Sequence, residues 1–147
     1  MIEKIPQEAK YQLLGEITSL MINSPIHLNY QIQDIVKNFL PPLDLDQFRI
    51  YKKGKTAVAL ITWAYLDDET QAKYSNLNEQ YDLQADDWKK GKNLWFIDFI
   101  ASQDVMKEID HDMKYNLFPN EVARALRADE TGKISHIQEY FGVNYKK

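Results

Sequence analysis

The sequence predicts an α/β or α+β fold in which two N-terminal helices precede a mainly antiparallel, mixed sheet flanked by further helices. Three observations predict it: helical apolar spacing near the N-terminus, strand-like apolar runs in the middle of the chain, and a hairpin pattern towards its end. The 147 residues suit one domain that spans 1–147. No repeat or linker interrupts it.

The two leading helices come from apolar periodicity. The segment 7–22, "QEAKYQLLGEITSLMI", has an apolar face at helical spacing, formed by Leu13, Leu14, Ile17, Leu20 and Met21. A second helix is predicted over about 31–40, with Ile32, Ile35, Val36 and Phe39 on one face. We expect the two prolines at 41–42 to close this helix.

Three strands are predicted in the middle of the chain. The segment 47–53 alternates and reaches a turn at Gly54, and 56–66, "TAVALITWAYL", is apolar enough to be covered on both faces. The acids that open 67–74 suit a helix N-terminus. The segment 93–101, "NLWFIDFIA", is the third and most apolar strand.

The last part of the chain predicts a helix followed by a hairpin. An amphipathic helix is expected at about 103–116, with an apolar side formed by Val105, Met106, Ile109 and Met113. The segments 121–129 and 133–141 flank the turn "ETG" (130–132) and predict a β-hairpin.

Composition narrows the class of protein. The chain has no cysteine, so a disulfide, a thiolate nucleophile and a zinc–thiolate site are excluded. The net charge of −4 argues mildly against nucleic acid as the main partner. No apolar run approaches the roughly 20 residues of a membrane span, and the first ten residues lack an apolar signal-peptide core, so a bacterial cytoplasmic protein is expected. Lysines cluster at 51–55 and 88–92, either as solvated turns or as a docking surface for an acidic partner.

Asp98 is the most informative residue of the predicted strands. Strand alternation places it with Leu94, Phe96 and Ile100 on one face, among bulky apolar neighbours. An unpaired carboxylate there would cost several kcal/mol, so Asp98 should have a partner. Alternatively it marks a bulge or a strand end that reaches water.

Three histidines are candidates for that partner. His111 lies on the polar side of a predicted helix, and His136 reads as an ordinary strand residue. His27 follows Pro25 at a break between two apolar helices, where a side chain can be held over a cleft. From the residues alone, His27 is either a structural histidine or a catalytic one.

Ser24 introduces a competing interpretation. Serine, histidine and aspartate are the components of a hydrolase triad, but the sequence has no G-x-S-x-G elbow, and a serine before proline also suits a turn. Arg124 and Arg127 share one predicted strand. At a spacing of three they face opposite sides, so at most one should enter a shared cleft unless the ladder bulges.

Several segments together resemble one family, the bacterial RTX toxin-activating lysine acyltransferases. They occur in family order and cover most of the chain from about residue 15: "GEITSLMINSPIHLNY" (15–30), "NFLPPL" (38–43), "ITWAYL" (61–66), "ADDWKKGKNLWFIDFIA" (85–101), and "FPNEVARALRAD" with "GKIS" (118–135). The resemblance implies a GNAT-like acyltransferase fold, often as a homodimer. It also implies transfer of a fatty acyl group from acyl carrier protein to internal lysines of a protoxin, with no bound cofactor or metal.

The resemblance also implies roles for single residues. The essential histidine and aspartate of the family fall on His27 and Asp98, and the motif's serine falls on Ser24. The asparagine of N-x-L-P falls on Asn38. Arg124 and Arg127 are implied as donor or active-site contacts. The chain departs from the family pattern at Leu28, where many relatives have a basic residue, and at "FIAS", which replaces the commoner W-I-A-P.

These residues suit amide formation on lysine. A lysine ε-ammonium, with a pKa of about 10.4, must lose a proton before it attacks a thioester, and a neutral histidine accepts one near pH 7. We therefore predict that His27 is the general base and Asp98 its orienting partner. A covalent acyl-His27 intermediate, a Ser-His-Asp hydrolase or thioesterase, and a non-catalytic binding module are the alternatives.

Overall fold

The computed structural model describes residues 7–146, in which five strands form a single sheet in the order β1-β2-β3-β4-β5. The strands are β1 (Phe48–Lys53), β2 (Thr56–Leu66), β3 (Asn93–Ala101), β4 (Val122–Ala128) and β5 (Ile134–Phe141). Neighbouring strands are antiparallel except for β3 and β4, which are parallel. The predicted mainly antiparallel sheet is confirmed. So are the three strands predicted in the middle of the chain, β1, β2 and β3, and the C-terminal hairpin of β4 and β5.

Five α-helices accompany the sheet: α1 (Gln7–Ile22), α2 (Ile32–Asn38), α3 (Leu40–Leu45), α4 (Asp68–Tyr74) and α5 (Met106–Asp112). The predicted α1 is confirmed, and the side chain of Asp67 accepts a hydrogen bond from the Thr70 amide at the start of α4. Among residues 7–146, no helix is long and apolar enough to cross a membrane.

Both leading helices are present, but the second does not extend over the predicted 31–40, and the prediction that its prolines close it is wrong. The segment forms two short helices, and Pro41 and Pro42 lie in the first turn of α3 instead of after the end of α2. Neither proline has an N–H to donate into α2, so its ladder stops, whereas the first turn of a helix needs no such donors. The predicted apolar face is also only partly buried, because Phe39 is buried but Ile32 and Val36 are exposed.

The predicted helix over 103–116 is confirmed in position but not in regularity. It begins as a 3₁₀ turn at Gln103–Val105, continues as α5, and ends in a wider π-type turn at Met113–Leu117. Val105, Ile109 and Met113 are buried. This segment is part of the crossover that two parallel neighbours such as β3 and β4 require.

The two faces of the sheet have separate cores. On one face, the α5 segment packs against Ile61, Trp63 and Phe96. On the other, Ile17 of α1 and Phe39 pack with Leu60 and Ile100, and α4 covers a neighbouring cluster around Trp95. The face covered by α1 and α4, called here the α1 face, is the one that carries the site described below.

One polar cluster ties β1 to the end of α5. Asp112 accepts hydrogen bonds from Tyr51 at 2.6 Å, Asn116 at 2.9 Å and Arg49 at 3.1 Å. Burial acts to raise the pKa of the Asp112 carboxyl, but the hydrogen bonds from Tyr51 and Asn116 and the Arg49 charge outweigh it. This pKa therefore lies below its ordinary value.

A lowered carboxyl pKa predicts pH-dependent stability. The contribution of Asp112 is complete above the unfolded-state pKa of about 3.9 and is lost as pH falls through the lower folded-state pKa. We expect Asp112→Asn to reduce the free energy of unfolding at pH 7 by about 1 to 2 kcal/mol. Urea unfolding of both proteins between pH 2 and pH 7 should show this difference shrinking towards zero at the acid end.

The control for this prediction is Glu108→Gln, at an exposed position of α5, which should change stability by less than about 0.5 kcal/mol. A difference between the wild type and Asp112→Asn that stays constant across this pH range would contradict the assignment.

Candidate active site

The segment between α1 and α2 turns His27 towards the sheet. After α1 ends, Pro25 is followed by a 3₁₀ turn at His27–Asn29, which is held by hydrogen bonds from the Leu28 amide to the Ser24 carbonyl and from the Tyr30 amide to the His27 carbonyl. The side chain of His27 is buried, with 5% of its surface exposed. Its chain neighbours Ile26 and Leu28 are exposed on the outside of the turn.

Asp98 lies on the same face of the sheet as His27, at a β-bulge in β3. Ile61 pairs with Phe99 and Trp63 pairs with Phe96, so two residues of β3, Ile97 and Asp98, lie opposite Thr62 alone. The extra residue reverses the alternation: Phe96 and Phe99 both pack on the α5 face. The prediction that Asp98 shares a face with Phe96 is therefore wrong, since Asp98 lies on the α1 face. Although a bulge is present, it does not expose Asp98, which is 6% exposed.

His27 and Asp98 are hydrogen-bonded to each other. His27 Nε2 lies 2.8 Å from Asp98 Oδ1, and both side chains are buried. On the other side of the ring, Ser24 Oγ lies 2.7 Å from His27 Nδ1. The structure thus brings together three residues that are up to 74 positions apart in the sequence.

The two contacts define which ring nitrogen carries the hydrogen. A carboxylate only accepts hydrogen bonds, so the Nε2–H group donates to Asp98. Nδ1 of the neutral ring is then an acceptor, and the Ser24 hydroxyl donates to it. Nδ1 is therefore the nitrogen that can take a proton from a substrate.

Tyr30 is a fourth member of the site, and the sequence analysis missed it. Its hydroxyl donates to Asp98 Oδ1 at 3.2 Å, and its ring centre lies 4.9 Å from that of His27. Burial raises the pKa of the Tyr30 phenol, and the Asp98 charge raises it further. Tyr30 therefore stays protonated as a donor, and the buried carboxylate of Asp98 has two donors. The position of Tyr30, three residues after His27 in a turn, was the only signal available.

Ser24 and Tyr30 are the outer members of the site. His27 and Asp98 are buried, whereas Ser24 and Tyr30 are half-buried and form the boundary between the pair and solvent. A substrate group that approaches Nδ1 must therefore pass Ser24. The arrangement provides a proton acceptor, a buried carboxylate that holds the ring, and a hydroxyl at the entrance.

The sequence as a whole matches a family model for the RTX toxin acyltransferase family over residues 6–141. This chain belongs to the RTX toxin acyltransferase family. The match covers most of the chain and includes all four residues of the site, and it argues against a binding module without catalysis.

Curated relatives agree with this assignment. The RTX-I toxin-activating lysine-acyltransferase ApxIC of Actinobacillus pleuropneumoniae is 34% identical over 93% of this chain and 78% of its own length. The protein-lysine myristoyltransferase HlyC of Escherichia coli is 32% identical, over 92% of this chain and 78% of its own. The uncharacterized protein sll0720 of Synechocystis is also 32% identical, over 91% and 92%.

Not all the site residues predicted from the family pattern of the RTX toxin acyltransferases come together. Asn38 is the last residue of α2 and is half-buried. In the described chain, the side chains of the His27–Asp98 pair are hydrogen-bonded, besides each other, to Ser24 and Tyr30. Among the described residues, no contact between Asn38 and the pair supports the predicted role of Asn38.

The two arginines lie on opposite faces of β4, as their spacing predicts. Arg124 shares the α1 face with Trp95 and Gln71, where they line a shallow pocket of about 390 Å³. Its guanidinium lies 3.4 Å from Glu139. Arg127 is on the α5 face, where its charge acts on Tyr140. Only Arg124 shares the face of Asp98, so the site prediction for Arg127 is not supported.

The two lysine clusters lie at opposite ends of β2. Lys52 and Lys53 precede its first residue, and the loop that contains Lys89 and Lys90 contacts its far end near Tyr65. Eleven residues of strand place the ends about 30 Å apart. In the first cluster, Lys52 pairs with Glu16 and Lys53 with Asp104. The clusters therefore do not form one docking surface.

Proposed function

We propose that this chain transfers a fatty acyl group from the thioester of acyl carrier protein to lysine ε-amines of an RTX protoxin, with His27 as the general base. The observation that carries the proposal is the 2.8 Å contact of His27 with Asp98, which leaves Nδ1 as the basic nitrogen at the entrance of the site. Toxin activation in the bacterial cytoplasm, and action as a homodimer, belong to the same proposal.

In the acyl transfer, the lysine ε-ammonium first releases one proton to solvent. The neutral nitrogen then attacks the carbonyl carbon of the thioester as a second proton passes to His27 Nδ1, and the carbon–sulfur bond breaks. The imidazolium returns this proton to the departing thiolate, so an amide and a free thiol are formed. Asp98 holds the ring through Nε2 and stabilises the imidazolium while it exists.

Ser24 must give way during this step. Its hydroxyl is hydrogen-bonded to His27 Nδ1 at 2.7 Å, so the hydroxyl has to rotate away when the lysine amine arrives. Rotation about the Ser24 side chain is inexpensive because a hydroxyl has several staggered positions. Ser24 then acts as a support that keeps the ring oriented between turnovers.

The same contact favours a second candidate function, a thioesterase that uses Ser24 as nucleophile. In that case the Ser24 oxygen attacks the thioester while its proton moves to Nδ1. The carbon–sulfur bond breaks and the thiolate takes that proton, and water later hydrolyses the serine ester. Family membership favours transfer to lysine, because the family is one of toxin acyltransferases.

One assay separates these functions. Full-length RTX protoxin, made in cells without any activating enzyme, is incubated with this protein and myristoyl-acyl carrier protein; the myristoyl group is chosen because a relative is named a protein-lysine myristoyltransferase. Intact-mass spectrometry should detect a gain of one or more myristoyl groups on the protoxin. Release of free myristate without a gain in protoxin mass would support the thioesterase instead.

The Ser24→Ala variant separates acyl transfer from the thioesterase in the same assay. Transfer with His27 as base should fall by no more than about tenfold, the cost of roughly one hydrogen bond. A thioesterase would lose its activity altogether. Rapid quenching of enzyme and donor without protoxin adds a further test, since a trapped acyl group on Ser24 or His27 would contradict direct transfer.

A further inference from the structure

Thr62 is a buried residue of β2 that lies opposite the bulge in β3. Its exposed fraction is 1%, and it lies between Ile61 and Trp63, the two residues at which the pairing with β3 shifts. Thr62 Oγ1 accepts a hydrogen bond from the backbone N–H of Asp98 at 3.0 Å. The side chain of Thr62 thus satisfies the amide of the residue that contacts His27.

The bulge places Phe96 and Asp98 on opposite faces of the sheet. In a regular strand, the period of two would put both on one face. Phe96 packs on the α5 face, whereas Ile100 packs with Ile17 on the α1 face, where His27 also lies. The extra residue in β3 therefore lets Phe96 fill the α5 core while Asp98 stays on the face of Ile100 and the histidine.

A bulge in a central strand has a backbone cost that its neighbours must offset. The extra residue disturbs the ladder, and a buried N–H that lacks an acceptor is unfavourable. The hydroxyl of Thr62 supplies that acceptor from the partner strand. Its β-branched side chain has few rotamers, so the oxygen has a fixed position.

We infer that Thr62 is a positioning residue for the acyl transfer: its hydroxyl anchors the Asp98 amide and so holds the carboxylate within hydrogen-bonding distance of His27. This inference rests on the proposed function only for its effect on rate. The geometric part concerns the His27–Asp98 hydrogen bond and can be measured without any substrate.

The test compares four variants of the full chain. Thr62→Val keeps the shape and removes the acceptor, and Thr62→Ser keeps the acceptor. Thr62→Ala differs from Thr62→Ser only by the hydroxyl, so these two decide the question if Thr62→Val does not fold. The matched control is Thr70→Val, the same chemical change at a buried threonine of α4.

Two measurements are made on each variant. The first is the downfield proton NMR signal of the His27 ring N–H that is bonded to Asp98, identified by its loss in His27→Ala. The second is kcat and KM for protoxin acylation. A merely structural role for Thr62 would lower the melting temperature and leave both measurements unchanged in the folded protein.

We expect Thr62→Val and Thr62→Ala to lose or shift the NMR signal and to lower kcat by about 10- to 100-fold, the scale of a misplacement of about 1 Å. KM should change by less than about twofold, because Thr62 is buried beneath the site. Thr62→Ser and Thr70→Val should keep the signal and a kcat within about threefold of the wild type.

The inference is overturned if Thr62→Val or Thr62→Ala keeps the wild-type signal and kcat, or if Thr62→Ser loses them equally. Failure of the proposed function is a different result. It would be an absence of acylation by the wild type, while the NMR comparison of Thr62→Ser with Thr62→Ala still reports whether the hydroxyl positions Asp98.

Discussion

His27→Ala is expected to lower the rate of protoxin acylation by about three orders of magnitude, within the range that a positioned general base contributes. The substitution removes Nδ1, the nitrogen left basic by the Asp98 contact. Among residues 7–146, it also leaves the buried Asp98 with only the Tyr30 hydroxyl as a side-chain donor, so we expect a loss of stability as well. The measurement is the initial rate of myristoyl transfer by intact mass, at a temperature where near-ultraviolet circular dichroism shows both proteins folded.

His136→Ala is the matched control for this experiment, because His136 is exposed on β5. Its rate should stay within about twofold of the wild type, as for other exposed substitutions. If a folded His27→Ala protein kept a tenth or more of the wild-type rate, His27 would not be the base, and the lysine would have to lose its proton elsewhere.

The second large effect is expected from Asp98→Asn, at about 10² to 10⁴ in kcat. Asparagine has nearly the same shape, but its amide can donate to Nε2 and so move the ring hydrogen to Nδ1. That nitrogen then cannot accept a proton from lysine. Because the contact is internal to the enzyme, KM should change much less than kcat. Nitrogen-15 NMR of the His27 ring reports the change of tautomer directly.

Asp87→Asn makes the same change at another buried aspartate and serves as its control. Asp87 accepts hydrogen bonds from the Tyr81 hydroxyl and the Gln84 amide, and neither residue contacts His27. We expect Asp87→Asn to reduce stability without changing kcat by more than about threefold. If Asp98→Asn also lost only stability, Asp98 would be a structural partner and not an orienting one.

Both predictions depend on a compact, buried site. Each ring nitrogen of His27 has one partner, and Asp98 Oδ1 has two donors, His27 and Tyr30. Partners on both sides restrict the rotation of the imidazole, which is the preorganisation that proton transfer requires. The entrance is lined by Ser24 and Tyr30, so a lysine chain approaches Nδ1 past the serine hydroxyl.

The secondary structure was largely readable from local patterns. Apolar spacing located α1, and β-branched and apolar runs located β2 and β3. The β1–β2 turn at Gly54 and the β4–β5 turn at Gly132 followed from glycine positions. The main error arose at residues that suit two kinds of local structure. Pro41 and Pro42 were expected to end a helix, yet the first turn of α3 accommodates them because its N–H groups need no partner within the helix.

The candidates for the site follow from residue patterns: a histidine at a proline break, an aspartate in an apolar strand, and a family pattern that contains both. Their contact follows from the folded chain. The separation of Asp98 from Phe96 depends on one extra residue in β3. A bulge leaves no periodic signal, because it is set by pairing with β2 and by the Thr62 hydroxyl 36 positions away. Tyr30 joined the site for a similar reason, since its hydroxyl meets Asp98 only after the α1–α2 turn folds onto the sheet. The periodicity of apolar residues indicates which side chains are buried. The contacts that form a site depend on how segments distant in the sequence pair and pack.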